Sequence, residues 1–155
     1  MDIYLLIYLI LIVAPISTII HESGHMIGSF LSKSDHMKLS IGYGKEIIHF
    51  SKKNIEVTIR LFFFLNGNTK SERHRPYGVM EHILISVCGP LNNIIFVFLF
   101  YFIYMIHPND YILLFIFFNG WLAITNIIPC KIKDRYSDGY LIVKMIKTKI
   151  LKNEI

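Results

Sequence analysis

At 155 residues the chain has the size of one domain, and its 54% hydrophobic content exceeds what a water-soluble globular domain usually carries. The net charge of +5 invites a nucleic-acid partner, yet all sixteen Lys and Arg fall in two segments, nine from Lys33 to Arg75 and seven from Lys131 to Lys152. Long charge-free runs separate them, which excludes nucleic acid as the expected partner, and the two cysteines, Cys88 and Cys130, are too few and too scattered for a disulfide framework or a Cys-based zinc site.

Three stretches read as membrane spans: Ile3 to about Leu31, Ile83 to Ile106, and Tyr111 to Ile128. Each is long enough to cross about 30 Å of hydrocarbon, and the last two hold no charged side chain. Basic segments stay on the cytoplasmic side. The N-terminus is therefore expected outside, residues 33–75 inside, the short His107-Pro108-Asn109-Asp110 connection outside and the basic tail inside. The chain begins Met1-Asp2-Ile3-Tyr4 with no Lys or Arg before Lys33, unlike a signal peptide, so the first span is expected to be retained.

Inside that span lies His21-Glu22-Ser23-Gly24-His25. On a helix the two imidazoles share one face about 6 Å apart, with Glu22 turned about 100° from His21. That is the arrangement of two zinc ligands and a general base. Ionisable groups are costly at membrane depth, so such a cluster points to function. His21 falls about 27 Å along the helix from Ile3, towards the cytoplasmic side. Pro15 is expected to weaken the helix ahead of it.

Residues 39–68 change period. Apolar and polar residues alternate on both sides of Lys52-Lys53-Asn54, which predicts a β-hairpin at the cytoplasmic interface, closed by Asn66-Gly67-Asn68. Thr69 to Glu81 is polar and reads as a loop or interfacial segment, with His74 and His82 as surface histidines. The second span contains Gly89-Pro90-Leu91-Asn92-Asn93, and the third adds Asn119 and Asn126 before it breaks at Pro129. Ser137-Asp138-Gly139 then opens a final segment to about Leu151, in which Leu141, Ile142, Met145 and Ile146 face away from Lys144, Lys147 and Lys152. This predicts a basic amphipathic helix on the inner leaflet, for which Ser137 or Asp138 is a suitable N-cap. The expected fold is a single domain over residues 1–155: an α-helical polytopic membrane protein of three transmembrane helices, a small β-hairpin between the first two, and a C-terminal interfacial helix over about 139–151.

A hydrolytic zinc site takes three protein ligands and keeps one position for water. His21 and His25 supply two. For the third, Asp138 and Asp134 both follow the cytoplasmic end of the third span, while Glu81 and His82 lie at the mouth of the second. Glu22 would act as general base towards a zinc-activated water attacking a peptide carbonyl. Asn92, Asn93, Asn119 and Asn126 offer polar atoms for a hydrated approach and for donors to an oxyanion or an extended substrate.

With these residues assembled, the chain resembles the site-2 protease family of intramembrane zinc metalloproteases. The resemblance rests on His21-Glu22-Ser23-Gly24-His25, on Gly89-Pro90-Leu91-Asn92-Asn93, and on Asn126-Ile127-Ile128-Pro129 followed by Asp138-Gly139, with Ile41-Gly42-Tyr43-Gly44 similar to the family's membrane-associated β segment. It implies one zinc ion held by His21, His25 and Asp138, Glu22 as general base, and Asn93 and Asn126 holding substrate or stabilising the intermediate. It further implies a membrane-spanning protein or peptide substrate cut near the cytoplasmic side. The chain departs from the family in spacing, since Asp138 stands nine residues after Pro129 where five is common and Asp134 occupies that place. Gly139 directly after Asp138 favours the later residue. A small core of this kind is also expected to use a regulatory or oligomeric membrane partner. The competing reading is a non-catalytic zinc-binding membrane scaffold, against which Glu22 argues, because a structural site has no need of that carboxylate.

Overall fold

The computed structural model of the chain describes residues 2–133 and 135–153. Asp134 lies outside the described residues. Three helices are long and apolar enough to cross a membrane: α1 (Ile3–Leu31), α2 (Val79–Ile106) and α3 (Asp110–Ile127). The second starts ahead of the expected Ile83 because Glu81 reaches back to accept from the Gly78 N–H at 2.6 Å, satisfying a donor that the first turn leaves unpaired. Asn109 does the same for α3, accepting from the Ile112 N–H at 2.9 Å.

In α1 the turn Leu9–Val13 is π-helical. Pro15 follows it, with no N–H to give and a ring that crowds the carbonyl one turn back, and the widened turn makes room for that ring. From Ala14 to Leu31 the helix is continuous through both histidines. Lipid supplies no hydrophobic drive between helices, so close approach and buried polar bonds must hold them together. Gly24 and Gly28 provide the approach. A Cβ on Gly24 would overlap the Cys88 carbonyl oxygen, and one on Gly28 would stand 2.8 Å from Ile85 Cα. Asn92 adds bonds across the same contact, donating from Nδ2 to Ile20 O at 2.6 Å and to Ser23 Oγ at 3.1 Å. Outward faces carry exposed Phe98, Phe102, Phe117 and Trp121, whereas Ser17, Asn93 and Asn119 are fully enclosed.

Between α1 and α2 the chain forms an antiparallel hairpin of β1 (His36–Lys52) and β2 (Ile55–Glu72), longer at both ends than the expected 39–68. Each strand works as two arms. Residues 46–52 pair with 55–60 about the Lys53-Asn54 turn, and residues 36–41 pair with 67–72, from His36 opposite Glu72 to Ile41 opposite Gly67. The first arm of β1 also runs beside 55–59 with both numbers rising, Met37 against Ile55 through Ile41 against Ile59, which is a parallel register. The Met37 N–H bond to Asn54 O at 2.8 Å and the Lys38–Glu56 ion pair at 2.7 Å lie along this contact. The arms thus lie in the order 46–52, 55–60, 36–41, 67–72, with 67–72 at one edge. Gly42 and Gly44, both at φ 87°, sit where β1 passes from one arm to the other.

Thr69 to Glu81, expected as a loop, is instead strand through Glu72 and helix from Val79. Arg73 gives the reason. Its guanidinium donates to both Glu81 oxygens at 2.9 and 2.8 Å and to Ser32 O at 2.6 Å, so charges that suggest a solvated loop tie the sheet to both neighbouring helices. The hydrogen bond to Glu81 raises the Arg73 pKa above its ordinary value. His74 is exposed, and His82 stands edge-on to Tyr77. After α3 come two short strands, β3 (Lys131–Ile132) and β4 (Arg135–Tyr136), and a helix α4 (Asp138–Asn153) that packs on α2 and brings Lys149 Nζ to 3.9 Å from Met80 Sδ.

Candidate metal centre

The helical spacing puts the His21 and His25 rings edge to face, 4.8 Å between centroids, with their Nε2 atoms 3.1 Å apart. Each Nδ1 faces an oxygen on α2: Asn93 Oδ1 at 2.7 Å from His21 and Ile85 O at 2.8 Å from His25. Because these oxygens can only accept, each Nδ1 carries a ring hydrogen, which leaves each Nε2 as the atom that faces the partner ring and Asp138. Asp138 closes the group, with Oδ2 at 3.1 Å from His21 Nε2 and Oδ1 at 3.3 Å from His25 Nε2. Its Oδ2 is buried without a hydrogen-bond partner.

Two imidazole nitrogens and a carboxylate converging in a buried place are held together by a positive charge, a proton or a metal ion, between them. The spacing suits the metal ion. Bonds of about 2.0–2.1 Å to a tetrahedral ion separate ligand atoms by about 3.3–3.4 Å, close to the distances here. Among the described residues, His21, His25 and Asp138 are the group of three that can hold a metal ion, and the hydrogen bonds behind both imidazoles are those that orient metal ligands.

Asp138 reaches the histidines because Ser137 is bonded back to Cys130 and Ile128 at the end of the third span. Ser137 N–H bonds to Cys130 O at 3.0 Å, Cys130 N–H bonds to Ser137 Oγ at 2.8 Å, and Ser137 Oγ donates to Ile128 O at 2.7 Å. Cys130 and Ser137 are thus held together, and Ser137 lies beside the end of α3. Ser137 also caps α4, accepting from the Tyr140 N–H at 3.2 Å, which leaves Asp138 in the first turn with its carboxylate free for the site. Gly139 lets that turn sit against α3, since a Cβ there would overlap the Ile127 carbonyl oxygen.

Glu22 is buried beside this group, and its carboxylate accepts from Thr69 Oγ1 at 2.7 Å. Thr69 lies on the edge arm of the sheet, in the segment that reads as a loop in the sequence. A cavity of about 1220 Å³ is lined by His21, Glu22, His25 and Asp138, by Phe64 to Thr69 of β2, and by Trp121, Leu122, Thr125 and Asn126 of α3. Asn126 is half-buried on that wall, one amide hydrogen donated to Leu122 O at 2.9 Å. Asn93 takes a different place from the one expected. It is fully enclosed behind His21, off the cavity, with its oxygen on Nδ1. Asn119 and Ser17 likewise lie between the helices, bonded to one another. Thr69 had no local signal marking it for the site, because its partner Glu22 is 47 residues away in the chain; Asn119 was expected among the polar atoms of a hydrated approach and lies instead enclosed behind Asn93.

A three-helix membrane protein with a His-His-Asp group and an adjoining carboxylate defines a metallopeptidase-like class. The chain matches the description Peptidase family M50 over residues 7–154, nearly its whole length, and belongs to that family, the site-2 proteases. No curated protein matches it. The family supports a metallopeptidase built into a membrane and is one of zinc enzymes.

Proposed function

We propose that the chain is a zinc metalloendopeptidase that hydrolyses a peptide bond of a membrane-spanning protein or peptide near the cytoplasmic side of the bilayer. The observation that carries this reading is the convergence of His21, His25 and Asp138 beside Glu22 on one cavity wall. His21, His25 and Asp138 would hold the ion, and zinc when bound supplies Lewis acidity that polarises a carbonyl and makes water acidic enough to attack at neutral pH. Glu22 takes the proton from the attacking water and passes it to the leaving amine. Thr69 holds the Glu22 carboxylate in one rotamer. Asn126, with one amide hydrogen left, serves as a donor to the substrate backbone or the developing oxyanion, and Asn93 serves by holding His21.

The distribution of basic residues supports an N-terminus outside and a cytoplasmic C-terminus. Lys144, Lys147 and Lys149 are exposed on α4, Leu141, Ile142 and Met145 are half-buried and Ile146 is exposed, and a basic face beside an apolar one supports an interfacial role for this helix on an anionic leaflet. The test is zinc content and cleavage together, in purified protein reconstituted with a transmembrane peptide library. Wild type should hold about one zinc and cut, Glu22→Gln should hold zinc without cutting, and Asp138→Ala should lose zinc where Asp134→Ala keeps it. Cleavage by Glu22→Gln, or zinc retained by Asp138→Ala, would overturn the assigned roles.

A further inference from the structure

His25 is held by a backbone carbonyl, which no substitution of a side chain can remove. His21 is held by a side chain, and that side chain is itself held. Asn93 Nδ2 donates to Ser17 O at 3.2 Å and to Asn119 Oδ1 at 2.7 Å; Asn119 Nδ2 donates to Phe115 O at 2.8 Å and to Ser17 Oγ at 2.9 Å. An amide can be turned end for end unless its partners forbid it. Here two backbone carbonyls forbid it. Phe115 O and Ser17 O can only accept, so both amide nitrogens must face them; Asn119 Oδ1 must then face Asn93, and Asn93 Oδ1 must face His21 Nδ1.

We infer that Asn119 is a positioning residue for the metal ligand His21, acting through Asn93. The inference rests on the metal centre proposed above. All four amide hydrogens of the two asparagines are used, and Ser17, Asn93 and Asn119 show no exposed surface, so no water has to complete the network. The chain of bonds runs from α3 through α2 to α1. It fixes the ring hydrogen of His21 on Nδ1 and turns its Nε2 lone pair to the site.

A plain packing role for Asn119 would stabilise the bundle without favouring the ligand, and Asn92 is the control for it. Asn92 also bonds α2 to α1 from a partly buried position, but touches no ligand. The experiment uses the full chain in detergent, with zinc affinity measured by chelator competition and coordination followed by the visible spectrum of the Co2+-loaded protein. Asn119→Leu should weaken zinc roughly tenfold, at the low end of the 10–100-fold loss that removal of an outer-shell partner brings, and should alter the Co2+ bands. In an Asn93→Ala background Asn119→Leu should add nothing, because the path to His21 is already cut. Asn92→Leu should leave both readouts unchanged.

Wild-type zinc affinity in Asn119→Leu, full additivity in the double variant, or an equal loss in Asn92→Leu would each overturn the inference while leaving the metal centre standing. A wild-type chain that binds neither zinc nor Co2+ would overturn the metal centre and the inference with it. Should Asn119→Leu not fold, Ser17→Ala decides, since it removes only the Oγ acceptor of Asn119: a loss of about two- to threefold is expected, below that of cutting an outer-shell bond outright, and no loss overturns the inference.

Discussion

Glu22 is held by one residue that the helix carrying it does not supply. Thr69 Oγ1, 47 positions away, lies 2.7 Å from the Glu22 carboxylate and 3.1 Å from the Glu22 carbonyl oxygen. A hydroxyl cannot donate to both at full strength, and the shorter, charge-assisted bond is the one that sets the side chain. A hydrogen bond to a charged group contributes about 1.5–3 kcal/mol, so Thr69→Val should lower kcat by roughly 10- to 100-fold. KM and zinc content should stay near wild type, and Thr69→Ser should restore most of kcat; a Thr69→Val enzyme with undiminished kcat would rule out this role. The contrast with His21 and His25 shows what a sequence makes legible. Their spacing is a local, helical fact, whereas Thr69 and Asn119 gain their meaning from partners in other elements.

The elements decide whether Asp138 arrives at all. By count it stands farther from Pro129 than the family's pattern has it, and the bonds that tie Ser137 to Cys130 and Ile128 bring it back beside the end of α3. Gly139 is the tightest part of the delivery. Gly139→Val should push the start of α4 off the Ile127 carbonyl, carry Asp138 away from the histidines and lower zinc content although every ligand is present. A Gly139→Val protein with one zinc and wild-type cleavage would show that the close approach is dispensable. Ser137→Ala is the milder probe, expected to cost about 1 kcal/mol as a lost N-cap, read as a lower melting temperature. The three spans and the hairpin were readable because hydrophobic length and alternation are properties of single segments. The reach of β2 to Glu72 was not, because it depends on pairing with residues 36–41, and the helical start at Val79 depends on Glu81 and Arg73 closing on each other.

Which side of the membrane the site faces is a property of the whole molecule. The two cysteines are native probes of it, since Cys88 is buried within α2 whereas Cys130 is exposed and lines the same cavity as His21 and Asp138. One basic segment begins right after Cys130, with Lys131, Lys133 and Arg135, and under the orientation proposed above Cys130 faces the cytoplasm. A membrane-impermeant maleimide should therefore label the protein in inside-out vesicles and leave it unlabelled in right-side-out vesicles. Cys130→Ser should abolish that label, and Cys88→Ser should keep it. Labelling of Cys130 from the outside would reverse the orientation and, because Cys130 borders the cavity, would move the site of cleavage to the opposite face of the membrane.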